Sequence, residues 1–196
     1  MLKTLLAGTV VLSLAAAPAF AGQQPTTDKT PTAKAGGASD TLFVKNAAKG
    51  GLAEVELGQL AADHGASDEV KKFGQRMVTD HGKANDELKS LAQQKNITLP
   101  AEIGAKEKAL QARLEKLSGA AFDRAYMRAM LADHKTDVNE FRMESKSGKD
   151  TEVKAFATKT LPTLEEHLKA AQDANKAVGT SGTMSSKPSK KMPPKF

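Results

Sequence analysis

An all-α fold, four long helices in a bundle with a helical crossover between the second and third, is predicted from three observations. Between Asp40 and Val178 the only prolines are Pro100 and Pro162, β-branched runs are absent, and Ala, Leu, Lys, Glu and Gln dominate, all of which favours helix. Apolar residues recur there at helical spacing in four stretches. The segment Glu69–Phe73 (EVKKF) is echoed by Glu152–Phe156 (EVKAF), each followed by a histidine on nearly the same helix face, which predicts two related helical hairpins.

The ends are of a different character. Residues 1–21 read as a secretory signal peptide: Lys3, an apolar run from Leu5 to Ala17, and Ala19-Phe20-Ala21 as the small-x-small cleavage site. The expected location is periplasmic or secreted, with association at the outer membrane as a further expectation. There is no cysteine, hence neither a disulfide framework nor a lipoprotein attachment site. Residues 22–39 are Pro/Thr/Ala/Gly-rich and read as a disordered linker. Residues 179–196 read as a disordered tail with Lys187, Lys190, Lys191 and Lys195.

The chain carries a net charge of +6, yet residues 40–178 hold 22 Lys/Arg and 22 Asp/Glu. The basicity therefore belongs to the ends. A neutral domain in a chain with seven Phe, one Tyr and no Trp does not fit a nucleic-acid-binding body. The lysine tail is expected to make weak contact with an anionic membrane surface. No stretch after the signal approaches the length of a transmembrane span, and protein partners cannot be read.

In chain order, the first helix is expected from about Thr41 to His64, capped by Ser39/Asp40 and stopped by Gly65. Glu54 falls within its apolar stripe, while Glu56 faces solvent. The second starts after Ser67 and carries Val70, Phe73, Met77, His81, Ala84, Leu88 and Leu91 along one face. Asn96–Pro100 breaks the pattern, and Ala105–Leu117 is short, charged and amphipathic, as a surface crossover would be. The third long helix follows Ser118-Gly119 and ends near Lys146–Gly148. The fourth starts at Asp150, with Pro162 expected to bend it.

The third long helix sets the functional question, because Asp123, Met130, His134, Asp137 and Phe141 fall on one side of it. A carboxylate and an imidazole inside a seam need partners, since an unpaired buried charge costs several kcal/mol. His81, His167 and Glu54 occupy seam positions on the other three helices. If the crossover returns the chain to its starting end, the four groups fall within ~7 Å of bundle height. One divalent metal ion, zinc or iron, held by Glu54, His81, His134 and His167 is the sharper expectation. Zinc would then stabilise the protein, an effect lost below about pH 5.5 as imidazoles protonate.

The competing expectation is a structural network in which protonated imidazoles pair with Glu54, Asp123 and Asp137. That would suit a non-enzymatic envelope or stress-related interaction protein. His64, in the last turn before Gly65, reads as a helix-terminus residue. Tyr126 reads as core, its hydroxyl bonded to a buried carboxylate. No Ser/His/Asp spacing, phosphate loop or Cys motif points to an enzyme, and no catalytic residue is assigned.

Five segments, GGLAEVELGQLA at 50–61 in part, EVKKFGQRMVTDH ending at His81, FDRAYM from Phe122, Asp133-His134 and LPTLEEHL from Leu161, resemble the bacterial family of domains of unknown function numbered 4142. That family is placed with the ferritin-like proteins. The resemblance covers the helical domain and implies a ferritin-like four-helix bundle with a crossover, often described as a predicted outer-membrane or exported protein, with no established activity. Ferritin-like di-iron proteins use paired Glu-x-x-His motifs. Here Val78, Leu131 and Leu164 stand three residues before the three seam histidines, which removes the expected bridging carboxylates and leaves a metal-dependent oxidoreductase as a second alternative.

Overall fold

The computed structural model describes the backbone of residues 37–184. The expected signal peptide, most of the expected linker and the lysine-bearing part of the tail lie outside the described residues. Five helices follow in order: α1 (Ala38–His64), α2 (Asp68–Gln94), α3 (Ala105–Leu114), α4 (Gly119–Ser147) and α5 (Thr151–Met184). No strand occurs among the described residues. The fold is the expected ferritin-like bundle of four long helices, with α3 in the crossover.

Several boundaries differ from the sequence reading. Helix α1 begins at Ala38 with Gly37 as N-cap, so Asp40 lies inside the first turn and accepts from Gly37 N at 3.1 Å. Helix α3 stops at Leu114, short of Leu117. Helix α5 runs to Met184, so residues 179–184 are helical where a disordered tail was expected, and it continues through Pro162. Ser67 caps α2 as expected, accepting from Val70 N at 3.4 Å.

The helix ends tie the topology together. The α1–α2 turn is held to α4 by the buried Asp123, whose carboxylate accepts from Ala66 N at 2.8 Å and Ser67 N at 2.9 Å. At the opposite end Asp40 accepts from Asp150 N at 2.8 Å and Lys149 N at 3.2 Å. Asp150 in turn accepts from Glu152 N, Val153 N and Lys95 Nζ. Helices α2 and α4 therefore start at the turn end, and α1 and α5 start at the other. The main pairings are α1 with α2 and α4 with α5, and the two hairpins meet along α1/α4 and α2/α5. All four neighbouring pairs are antiparallel.

Asp123 is thus a loop anchor and not a partner of the seam histidines. Asp123→Ala strands two backbone donors at a helix junction and is expected to cost about 2–3 kcal/mol in urea denaturation. Asp123→Asn, which keeps one acceptor, should cost roughly half of that.

Helices α1 and α2 approach closely because Gly58 and Gly74 face each other. A Cβ on Gly74 would stand 2.5 Å from the Gly58 carbonyl oxygen and 2.8 Å from Ala62 N, so the backbones would have to separate. Gly74→Ala is expected to destabilise by about 1–3 kcal/mol despite alanine's better helix propensity. Gly82, with nothing within 4 Å of its built Cβ, supplies the contrast: Gly82→Ala should stabilise by up to about 1 kcal/mol. Thermal melts of the two variants shifting in the same direction would contradict this packing.

Candidate functional site

The core is divided. One apolar cluster, with Leu57, Phe73, Met77, Phe122, Tyr126 and Met130, fills the turn end. Another, with Val44, Leu88, Val138, Phe141, Phe156 and Leu164, fills the opposite end. Between them each long helix contributes one polar side chain: Glu54 from α1, His81 from α2, His134 from α4 and His167 from α5. Their relative exposures are 0%, 7%, 0% and 1%, so none can rely on bulk water for its hydrogen bonds.

The three histidines form a triangle. Ring centroids are 5.8 Å apart for His81 and His134, 5.3 Å for His81 and His167, and 5.4 Å for His134 and His167. One nitrogen from each lies within 4.8 Å of those from the other two. Two rings are fixed by contacts at their outer nitrogens. His134 Nδ1 lies 2.9 Å from the Met130 carbonyl oxygen and, facing an acceptor, donates to it. His167 Nε2 lies 2.9 Å from Asp80 Oδ2 and donates to that carboxylate. In the neutral rings this leaves lone pairs on His134 Nε2 and His167 Nδ1. Both atoms, and His81 Nε2, are buried without a hydrogen-bond partner.

The electrostatics keep these rings neutral. Burial, and then the neighbouring His134 and His167, lower the His81 pKa to about 3. Burial also lowers His134, to about 4, despite the Met130 hydrogen bond. His167 is lowered too, chiefly by burial and against the pull of Asp80. Burial therefore works against the expected network of protonated imidazoles.

Glu54 belongs to a second group. Its Oε1 is 3.5 Å from His134 Nδ1, the nitrogen already committed to Met130. One of its oxygens lies within 4.8 Å of oxygens from Asp133 and Asp137. Burial first, then the charges of Asp133 and Asp137, push Glu54 well above the usual carboxylate range. Asp137, half-buried beside Asp133, is raised in the same way. The Tyr126 hydroxyl is buried without the carboxylate partner expected for it, and His64 is exposed at the end of α1.

Asp80 and Asp133 were missed as site residues by reading stripes, because each sits one position before a histidine and hence about 100° away around its helix. An Asp immediately before a seam histidine, as in Asp80-His81 and Asp133-His134, is the signal that points to them; the same pair at Asp63-His64 lies exposed at the end of α1. Asp80 is held in turn by Arg76 at 3.2 Å, and Arg76 by Glu166 at 2.7 Å. A chain of contacts thus runs from the surface to His167.

No carboxylate stands three residues before any of the three seam histidines, where a di-iron centre would carry its bridging glutamates, while three clustered imidazoles suit one nitrogen-bound ion. Zinc with Zn–N near 2.0–2.1 Å would hold the three nitrogens about 3.3 Å apart, against separations within 4.8 Å here.

Comparisons with known proteins agree with the architecture. A crystal structure of a DUF305 fragment from Deinococcus radiodurans superposes with a TM-score of 0.64 at 13% identity, over 75% of this chain and 99% of that one. At that identity the likeness shows the fold alone. No curated protein matches the sequence. The family model described as domain of unknown function DUF4142 matches residues 24–174, and the chain belongs to that family.

Proposed function

We propose that this is an exported bundle that binds one divalent metal ion, zinc or a similar ion, on His81 Nε2, His134 Nε2 and His167 Nδ1. The observation that carries this reading is the convergence of three buried imidazoles, one nitrogen of each within 4.8 Å of the others, on rings that each hold a buried nitrogen without a hydrogen-bond partner. A cation satisfies all three at once. The outer contacts to Met130 and Asp80 are of the kind that orient histidine ligands and raise their basicity.

The sequence reading placed Glu54 as fourth ligand. Its carboxylate faces the far nitrogen of His134, so we place it outside the ion's ligands and leave the fourth position to a solvent oxygen. A cavity of about 270 Å³ bordered by Asp80, His81, Thr160, Thr163 and His167 gives access from the α2/α5 groove. The structural-network alternative draws support from the Asp80–His167 pair and from the Glu54–His134 contact at 3.5 Å, and it leaves the partnerless ring nitrogens unexplained.

Competition with a chromophoric chelator tests the reading. One zinc equivalent per chain is expected, with affinity reduced ~10-fold or more in each of His81→Gln, His134→Gln and His167→Gln. Absence of zinc binding, or binding unchanged in all three variants, would refute it.

A further inference from the structure

We propose that Glu54, Asp133 and Asp137 form a second cation site, for a hard divalent ion such as Mn²⁺, on the opposite side of the His134 ring from the histidine triangle. Oxygens from the three carboxylates lie within 4.8 Å of one another. Asp133 and Asp137 are one turn apart on α4 and both half-buried, and Glu54 reaches them from α1. None of the three forms a salt bridge with a Lys or Arg among the described residues.

An acidic cluster alone would carry little weight, since carboxylates crowd on many surfaces. Glu54 supplies the independent observation. It has no exposed surface, and no hydrogen-bond donor satisfies either carboxylate oxygen; its polar neighbours are the Asp133 carboxyl, close enough to share a proton with it, and His134 Nδ1 at 3.5 Å. A fully buried carboxylate whose oxygens are both unsatisfied needs a proton or a cation.

The surroundings favour a partly hydrated ion. Asp133 borders a cavity of about 270 Å³ between α1, α3 and α4, which Lys106, Glu107 and Leu110 of the crossover helix help to line. Asp137 borders a further cavity of about 20 Å³ beside Asn85 and His81, about the room one water needs. The donors are all oxygens, which suits Mn²⁺, Mg²⁺ or Ca²⁺ better than the imidazole set beside it. The two sites therefore differ in the class of ion they select; the acidic one borders the α1/α3/α4 cavity and the histidine one the α2/α5 groove, with the small cavity bordered by a residue of each, Asp137 and His81, between them.

The full chain, stripped with a chelator and loaded with one equivalent of zinc, can be titrated with Mn²⁺ while the electron paramagnetic resonance signal of the free ion is followed. One Mn²⁺ is expected to bind per chain. Asp133→Asn and Asp137→Asn should each weaken it ~10-fold or more, with zinc capacity kept and the melting temperature unchanged or raised, because each removes an acidic charge from a crowded cluster. Glu54→Gln provides a third variant, and His81→Gln should leave Mn²⁺ uptake in place. Uptake of Mn²⁺ by a chain that takes no zinc would support this site while the histidine reading failed. No Mn²⁺ uptake, uptake unchanged by both aspartate variants, or its loss in His81→Gln would overturn the proposal.

Discussion

Acidifying the metal-free protein from pH 7 to pH 4 is expected to remove about 3 kcal/mol of stability through His81 alone. The folded-state pKa of this ring is lowered to about 3, against about 6.5 for an unfolded histidine. Above pH 6.5 neither state is protonated and the contribution is fully present. As pH falls, the unfolded chain takes up a proton that the native site refuses, so stability drops until the folded pKa is reached. Glu54 and Asp137 act in the opposite direction. Their raised pKa values mean that the native state keeps protons the unfolded state gives up above about pH 4.5, so acidification toward that pH adds stability and masks part of the loss. Comparison with His81→Gln isolates the histidine, since the stability difference between parent and variant should shift by this amount across the range. Parallel pH profiles would show that His81 is not held neutral by the fold. The protonated-network reading predicts the reverse sign, with mild acid stabilising through the imidazoles.

Zinc should produce the second large effect. At a free concentration a hundredfold above the dissociation constant, one bound ion stabilises the native state by about 2.7 kcal/mol, and at a thousandfold by about 4.1 kcal/mol. The melting temperature should rise with the logarithm of free zinc and return on chelation. The sequence alone placed the loss of this effect near pH 5.5, from ordinary imidazole behaviour. The fold moves it lower, because His81 and His134 stay available as neutral ligands to about pH 3 and 4. In acid, protons compete with zinc for the ring nitrogens of a site that is reluctant to take them. Titrations at pH 7 and pH 5 that differ as much as free imidazole would predict contradict this buried environment.

The fold was legible because helical periodicity and the absence of breakers are local properties. The echo of EVKKF in EVKAF also announced the hairpins that α1/α2 and α4/α5 form. The convergence of His81, His134 and His167 could be anticipated, since seam residues near helix centres share a layer once the crossover returns the chain to its starting end. What escaped the sequence depends on tertiary contacts across helices. Asp123 has the spacing of a seam residue, yet it binds the backbone of the α1–α2 turn, because the start of α4 abuts that turn. Asp80 lies outside the apolar stripe, but α5 packs beside it and brings His167 to its carboxylate. Glu54 reaches the layer as expected but sits beside Asp133 and Asp137. The side of a neighbouring ring that a glutamate faces is set by side-chain torsions that periodicity does not encode.

The claim that three imidazoles hold one ion is tested most directly by locating the ion. Crystals of zinc-loaded protein, measured on both sides of the zinc absorption edge, should show one anomalous peak in the layer between the two apolar clusters. It should lie ~2.0–2.1 Å from His81 Nε2, His134 Nε2 and His167 Nδ1. A zinc peak elsewhere on the chain, or none in that layer while the three rings keep their unliganded arrangement, would contradict the account.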